Sequence, residues 1–493
     1  MSFIGRLARH TSIYTIGEVL VIAAGFISFP VFTRLLSTEE YGLMSLATVI
    51  ITLLEAVSSL GLRHASQRYY DHYAASKKGG EFYATILFSS VGGGAAGTAA
   101  LLLFAWMAIF WWPQEKQLWI VLAMASVLVV TRVIFQAISG IYRVEQRPAL
   151  YVSTTLATKY LAMIGAVLLV VFSGWGLHGY YLGLGGGEIA VMLAAMWMFA
   201  RRTGVRVRKT SPAMLKQMRA YGYPLVIAGF SATLLEIGDR YLIKFFLGNS
   251  AVAVYTVAYS LCLYAGEGLK TSFQFALVPM IMHEWEKGDK QAVARQVGEA
   301  IRLFSFVSIP VFIGLAALAD EIIIFAASAR YADSAPLILP IAMGLMVHGV
   351  FSPVMIGLYL YEKTFTVALF MFGAMATNLL LNILLIPPFH LHGAAIATIL
   401  SYIVLLAAGG GYSQRIFKVE LPWRTIVNLA LAASLMGLLI VVVKKSSVFL
   451  ALPVGVAGYL ALVWTLDGQL RSIMNRAVWA MREKYKELGA PRS

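Results

Sequence analysis

"TLLEIGDRYLIKFFLG", Thr233 to Gly248, sets Glu236, Asp239, Arg240 and Lys244 inside an otherwise apolar run. An ionisable group at the centre of a bilayer-spanning helix costs about 2.5–3.5 kcal/mol on insertion scales, so such a group pairs, faces a wet cavity, or both. The solvent around this stretch follows from the rest of the chain. Of its 493 residues, 59% are hydrophobic and only 13% charged, with a mean hydropathy of +0.77. Soluble globular proteins carry about 25% charged residues. A spanning helix needs about 20 mostly apolar residues, and such runs recur along this sequence. The chain therefore reads as an all-α polytopic membrane protein.

Fourteen spans are expected, at about 12–32, 42–62, 82–112, 118–139, 150–173, 178–200, 221–245, 252–280, 303–319, 336–361, 365–386, 392–412, 425–443 and 447–465. The third and eighth are long enough to tilt or kink. The basic, apolar start "MSFIGRLARHTSIYTIGEVLV" imitates a signal peptide, but the run continues to Phe32 without a small-residue cleavage site. It reads as a retained first span. Cys262 is the single cysteine, so no internal disulfide forms and a thiolate metal site is disfavoured.

Lysine and arginine set the orientation. With the N-terminus inside, 29 of the 39 basic residues fall in cytoplasmic segments and five on the opposite side. Both termini are then expected in the cytoplasm. The formal charge of +15 is accounted for by this asymmetry and by attraction to anionic lipid, with no need for nucleic acid.

Internal matches point to a duplication. "GIYRVEQRP" (140–148) resembles "GLYLYEKTF" (357–365), "GLRHASQ" (61–67) resembles "GLKTSFQ" (268–274), and "LHG" recurs at 177–179 and 391–393. The offsets are 217, 207 and 214, in the same order. Six spans per repeat is an even number, so the halves share one orientation and are related by a pseudo-two-fold along the membrane normal. The expected organisation is an N-lobe (1–200, spans one to six), a basic cytoplasmic linker (201–220), a C-lobe (221–412, spans seven to twelve), two C-terminal helices (413–466) and a cytoplasmic amphipathic basic tail (467–493).

The segments "FPVFTRLLSTEEYGLMSLA" (29–47), "GDRYLIKFFLGNSAVAVYTVAYSL" (238–261) and "RYADSAPLILPIAMG" (330–344), set in two six-span lobes with two extra spans, resemble the Wzx-type oligosaccharide-lipid flippases. These belong to the multidrug/oligosaccharidyl-lipid/polysaccharide exporter superfamily, and the similarity covers essentially the whole chain. The resemblance implies two lobes around a central cavity. It also implies alternating access that carries an undecaprenyl-pyrophosphate-linked oligosaccharide from the cytoplasmic to the outer leaflet of a bacterial inner membrane. The product would serve surface polysaccharide, O-antigen or exopolysaccharide synthesis. Expected partners are that glycan, membrane lipids and polysaccharide polymerase or chain-length machinery. No cofactor is expected, although an ion gradient of H+ or Na+ is implied.

Glu236, Arg240 and Lys244 are spaced i, i+4, i+8 and so form one helical stripe, with Asp239 at its edge. Arg240 either ties this helix to a neighbour or faces the cavity as a planar, always-charged fork for phosphate. Arg63 and Lys270 occupy matching places in the two repeats and read as either a pyrophosphate-receiving pair or positive-inside anchors. Arg132 and Lys159 are costly in spans four and five unless they point into water, so both are expected to line the cavity. Glu18, Asp239, Glu236, Glu188 and Glu267 are candidates for ion coupling or for counter-ions to the arginines, with Glu18 and Asp239 first because they sit in corresponding spans. The glycine runs "GLGGGEIA" (183–190) and "VGGGAAG" (91–97) read as close helix packing. "HLH" (390–392) lacks a nearby third ligand and is given no metal role.

No nucleophile elbow, HExxH or Walker sequence is present, and no enzyme activity is expected. A cation-coupled multidrug exporter of the same superfamily is the first alternative, though it calls for an acidic cavity. A membrane polysaccharide polymerase or ligase is the second, but the longest outer loop, about 320–335, leaves little room for a catalytic site.

Overall fold

The chain makes its first reversal at Ser37, between α1 (Phe3–Leu35) and α2 (Thr38–Ser58). The Ser37 hydroxyl accepts from the Glu40 N–H at 3.2 Å, and the Glu40 carboxylate accepts from the Ser37 N–H at 2.9 Å. This reciprocal box satisfies donors that the start of a helix leaves open. The computed structural model describes residues 3–74, 78–472, 474 and 475. Most of the amphipathic tail expected over 467–493 lies outside the described residues.

Later spans use equally local signals. α3 (Gly79–Trp111) is followed by α4 (Val127–Val144), entered through a short helix, Lys116–Ala125. α5 (Pro148–Ser173) opens on proline and stops at Gly174, whose φ of 67° is left-handed. α6 (Gly176–Thr203) stops likewise at Gly204. α7 runs over Pro212–Ile237, breaks at Gly238 and continues as Asp239–Leu247, while α8 (Asn249–Glu286) is unbroken for 38 residues. α9 (Lys290–Ala317) and α10 (Ala335–Phe351) follow.

Thirteen stretches of the described residues are long and apolar enough to cross a bilayer, and one of them, Thr364–Ile416, has 53 residues. A straight helix of that length would measure about 80 Å, far more than the roughly 30 Å hydrocarbon core. Pro387, Pro388 and His390, at φ 51° and ψ −133°, turn it back on itself. Gly393 thereby lies against the Leu385 carbonyl. The stretch is two spans, α11 (364–389) and α12 (391–416), and with α13 (Trp423–Val443) and α14 (Val448–Leu466) the total is fourteen.

The repeat is visible in the backbone. His390 shares its φ of 51° with Gly176, which lies 214 positions earlier, just before the first "LHG". Gln146 and Glu362, one residue out of register with the 217-residue sequence match, both adopt left-handed φ near 53°. The third match behaves differently. α2 is interrupted at Leu60 and Gly61, both at positive φ, and resumes as a helix over Leu62–Ala74. α8 passes through the matching Gly268 without a break.

The molecule is an all-α bundle of two six-span lobes, with α13 and α14 packed outside against α9. There the Tyr459 hydroxyl donates to the Phe306 carbonyl at 2.8 Å. The Lys444 ammonium donates to the Ala317 carbonyl at 3.0 Å. The basic loops gather at one end, here called the basic face. Toward the opposite face the lobes join along α2 and α8, where buried Ser45 and Thr256 share a 2.8 Å hydrogen bond. Arg34 and Arg330 reinforce this join: Arg34 donates to the Phe325 and Ala326 carbonyls, and Arg330 to the Leu36 carbonyl. At the basic face the lobes meet again, with Gly61 packed backbone-to-backbone on Gly222 and the Tyr73 hydroxyl bonded to Gln217 at 2.6 Å.

The segment expected as an outer loop at 320–335 is mostly helical, over Ala319–Ala326 and Ala329–Ser334. Trp111, Trp112, Trp175 and Trp423 sit exposed at helix ends, as interfacial aromatics do.

Candidate functional site

The glycine runs determine how closely the first lobe packs. A Cβ at Gly183 would collide with the Gly165 backbone, and one at Gly187 with Ala162, so α5 and α6 touch along their main chains. This contact brings Lys159 of α5 and Glu188 of α6 to one level of the bundle, beside Arg132 of α4. The Arg132 Nη2 lies 2.9 Å from Glu188 Oε1, and its Nε lies 3.1 and 3.3 Å from the two carboxylate oxygens. The Thr131 hydroxyl donates to the same carboxylate at 2.9 Å. Glu188 is 6% exposed, so this forked pair neutralises most of the Arg132 charge inside the lobe. A turn away on α4, Gln136 bonds the Glu55 carboxylate.

Lys159 differs from Arg132. Its side chain is exposed, yet it lies at mid-span depth, and its ammonium makes no hydrogen bond or ion pair among the described residues. Arg132, Lys159 and Glu188 all line a cavity of about 440 Å³, shared with Tyr41 of α2, Tyr180 of α6, Tyr264 of α8 and apolar side chains of α1. Of these two cations, Arg132 is paired with Glu188, whereas Lys159 reaches the cavity without a hydrogen-bond or ion-pair partner among the described residues.

The opening stretch resolves into three separate environments. Gly238 breaks α7, so the i, i+4, i+8 stripe is not continuous. Lys244 pairs with Glu115 at the opposite face. Asp239, 1% exposed, accepts from the Tyr255 hydroxyl at 2.7 Å through Oδ2, and its buried Oδ1 has no hydrogen-bond partner among the described residues. Arg240 is 6% exposed and stacks over the Tyr259 ring at 5.7 Å. Its guanidinium makes no hydrogen bond or ion pair among the described residues, and it is not part of the cavity wall.

Behind Asp239, α7 packs on α11 and α12. Fully buried Asn382 donates to the Asn378 main-chain and side-chain oxygens at 2.8 and 3.0 Å, leaving Asn382 Oδ1 and Asn378 Nδ2 unpartnered. Thr398 of α12 is buried in the same lobe and donates to the Ala394 carbonyl at 3.1 Å. The asparagines had a sequence signal, two amides one helical turn apart in an apolar run, that attention to charges alone passes over. The cavity tyrosines had none, because their spacing matches ordinary core aromatics.

The remaining candidates are scattered. Glu18 accepts from the Tyr151 hydroxyl at 3.2 Å, away from the cavity wall. Glu236 sits two residues before the Gly238 break, partly buried and engaged with a neighbour. Arg63 is exposed just past the α2 break, whereas Lys270 is half-buried on unbroken α8, so the two matching positions have different surroundings. The Glu267 side chain lies outside the described residues.

The bundle of two helical lobes shares its fold with solved flippase and transporter structures. An inward-closed structure of the lipid II flippase MurJ superposes with TM-score 0.74 at 14% identity, covering 93% of this chain and 99% of that one. An inward-facing multidrug resistance MATE transporter of the MOP superfamily superposes with TM-score 0.63 at 14% identity, covering 84% and 99%. The chain belongs to the polysaccharide biosynthesis protein family, whose model matches residues 7–285. Among curated relatives, lipid II flippase MurJ of Bacillus subtilis is 23% identical over 308 residues, 56% of this chain and 54% of that protein. The chain thus matches about half the length of such relatives.

Proposed function

We propose that this protein is a flippase that moves a lipid-linked oligosaccharide between leaflets by alternating access. The observation that carries the reading is Lys159, an unpaired ammonium at span depth in the wall of a 440 Å³ cavity. An unpaired intramembrane cation is costly without an anionic ligand, and a prenyl-linked phosphate supplies one. The polysaccharide biosynthesis family match agrees with a glycan as cargo. The finer reading has an undecaprenyl-pyrophosphate carrier moving from the cytoplasmic to the outer leaflet of a bacterial inner membrane, with both termini cytoplasmic. The join at Ser45 and Thr256 and the join at Gly61 and Gly222 are then the outer and inner gates.

Coupling to an ion gradient is assigned to the second lobe. Asp239 Oδ1 and Asn382 Oδ1 are buried oxygens without hydrogen-bond partners among the described residues, the donor type that a hard cation such as Na+ takes. The cavity does not match the exporter alternative, because among its described lining residues the one carboxylate, Glu188, is committed to Arg132 and the free charge, Lys159, is positive.

The test reconstitutes the purified protein in proteoliposomes with a fluorescent prenyl-pyrophosphate glycan. Wild type and Lys159→Arg are expected to translocate it, and Lys159→Ala to lose most activity at equal membrane levels. Full activity of Lys159→Ala would remove the headgroup assignment. Extrusion of cationic dyes with no movement of the glycan would favour drug export.

A further inference from the structure

We propose that the same cavity recognises a phospho-sugar, with the Lys159 ammonium taking the phosphate and the hydroxyls of Tyr41, Tyr180 and Tyr264 taking the first sugar attached to it. This rests on the flippase reading and adds the part of the head group that the site reads.

All three tyrosines line the cavity with Lys159, and none of their hydroxyls makes a hydrogen bond among the described residues. Neighbouring tyrosines do. Tyr181 donates to the Met44 carbonyl at 3.3 Å, Tyr241 to the Leu46 carbonyl at 3.0 Å, and Tyr255 to Asp239. A hydroxyl deep in a protein normally finds a partner, and three unpaired ones converging on one space mark a surface that awaits a polar ligand. None of the three oxygens is sealed off, in contrast to the unpartnered hydroxyls of Tyr259 and Tyr331.

The rings are fixed as well. Tyr264 lies against Phe26 at 5.2 Å and edge-on to Phe29 at 6.1 Å, and Tyr180 is edge-on to Phe32 at 4.8 Å. A rigid aromatic body with a polar tip suits a sugar, which presents apolar C–H faces beside hydroxyls. An acyl chain would leave the ammonium and three hydroxyls unsatisfied, and a cationic drug would meet Lys159 as a like charge. A volume of 440 Å³ is of small-molecule scale, so the phosphate and the sugar next to it fit while the rest of an oligosaccharide lies elsewhere. Tyr264 belongs to α8 of the second lobe, whereas Tyr41, Tyr180 and Lys159 belong to the first. The sugar therefore bridges the two bodies whose relative movement constitutes transport.

The test measures binding by the full chain in nanodiscs, using farnesyl phosphate, farnesyl-phosphoryl-hexose and soluble hexose 1-phosphate. The sugar-bearing lipid should bind at least about tenfold tighter than farnesyl phosphate. Tyr180→Phe and Tyr264→Phe, which keep the rings, should each remove about threefold to tenfold of that advantage and leave farnesyl phosphate unchanged. Lys159→Gln should weaken every phosphate probe. Equal wild-type affinity with and without the sugar, or equal losses for both lipids in the Tyr→Phe variants, would overturn the proposal. If glycan transport persists in that case, the flippase reading stands alone. Absence of both binding and transport of lipid-linked sugar would instead sink the flippase reading itself. Hexose 1-phosphate binding as tightly as the lipid form supports the phospho-sugar chemistry and names a soluble source; weaker binding names the lipid.

Discussion

Glu188 and Arg132 offer the sharpest quantitative test of the cavity's charge. The pair combines three N–O contacts of 2.9–3.3 Å with a Thr131 hydrogen bond at 2.9 Å. Removing one member of a fully buried pair costs about 3–5 kcal/mol because the other charge is stranded. The Arg132 side chain is 27% exposed, toward the cavity, and the Glu188 side chain 7%. Solvent at the arginine end lowers the expected coupling to about 2 kcal/mol. The measurement is a double-mutant cycle of Glu188→Gln, Arg132→Gln and the double variant, followed by unfolding in denaturing detergent. The single variants should each lose about 1–3 kcal/mol, and the double variant less than their sum by about 2 kcal/mol. Because Glu188→Gln also frees the Arg132 charge, it should tighten farnesyl phosphate binding several-fold while weakening the fold. Additive losses together with unchanged phosphate affinity would refute the neutralised-arginine picture.

Other outcomes follow from contacts already described. Ser45→Cys with Thr256→Cys should cross-link under oxidation and stop transport until reductant is added; Cys262 is fully buried and should not interfere. Transport that continues after cross-linking would rule out this join as a moving gate. Gly222→Val places a side chain against the Gly61 backbone, so accessibility labelling of the basic-face end of the lobe interface should rise at unchanged expression. Asp239→Asn and Asn382→Leu should each abolish ion-stimulated transport while leaving farnesyl phosphate binding within about twofold, and stimulation that survives both would remove the coupling assignment. Arg34→Ala removes donors to the Phe325 and Ala326 carbonyls across the lobes, and proteolysis on the face opposite the basic loops should accelerate.

The span count was legible because lipid demands runs of about 20 apolar residues, and each run survives in the chain as written. The duplication was legible at the turns for a related reason. A left-handed φ at Gly176 and at His390 marks an equivalent reversal, and the short motifs around it keep the same register. The partnering of the charges was not legible. Arg132 and Lys159 looked alike in sequence, and only the approach of α6 gives Glu188 to the former. Helical periodicity placed Arg240 on one stripe with Glu236 and Lys244, but the break at Gly238 parts Glu236 from the other two. The three cavity tyrosines come from α2, α6 and α8, and no local pattern connects residues 41, 180 and 264.

The continuity of α8 has a mechanical consequence. Its 38 residues make a rod of about 57 Å, nearly twice the hydrocarbon thickness. From Thr256, where it is fastened to α2, about 45 Å of the rod extends to Glu286. Rotating it by about 10° at that fulcrum swings its far end by about 8 Å, whereas the partner α2 is divided at Gly61 and dissipates the same rotation in its joint. Matching positions of the two lobes thus have the build of a lever in α8 and of a hinge in α2.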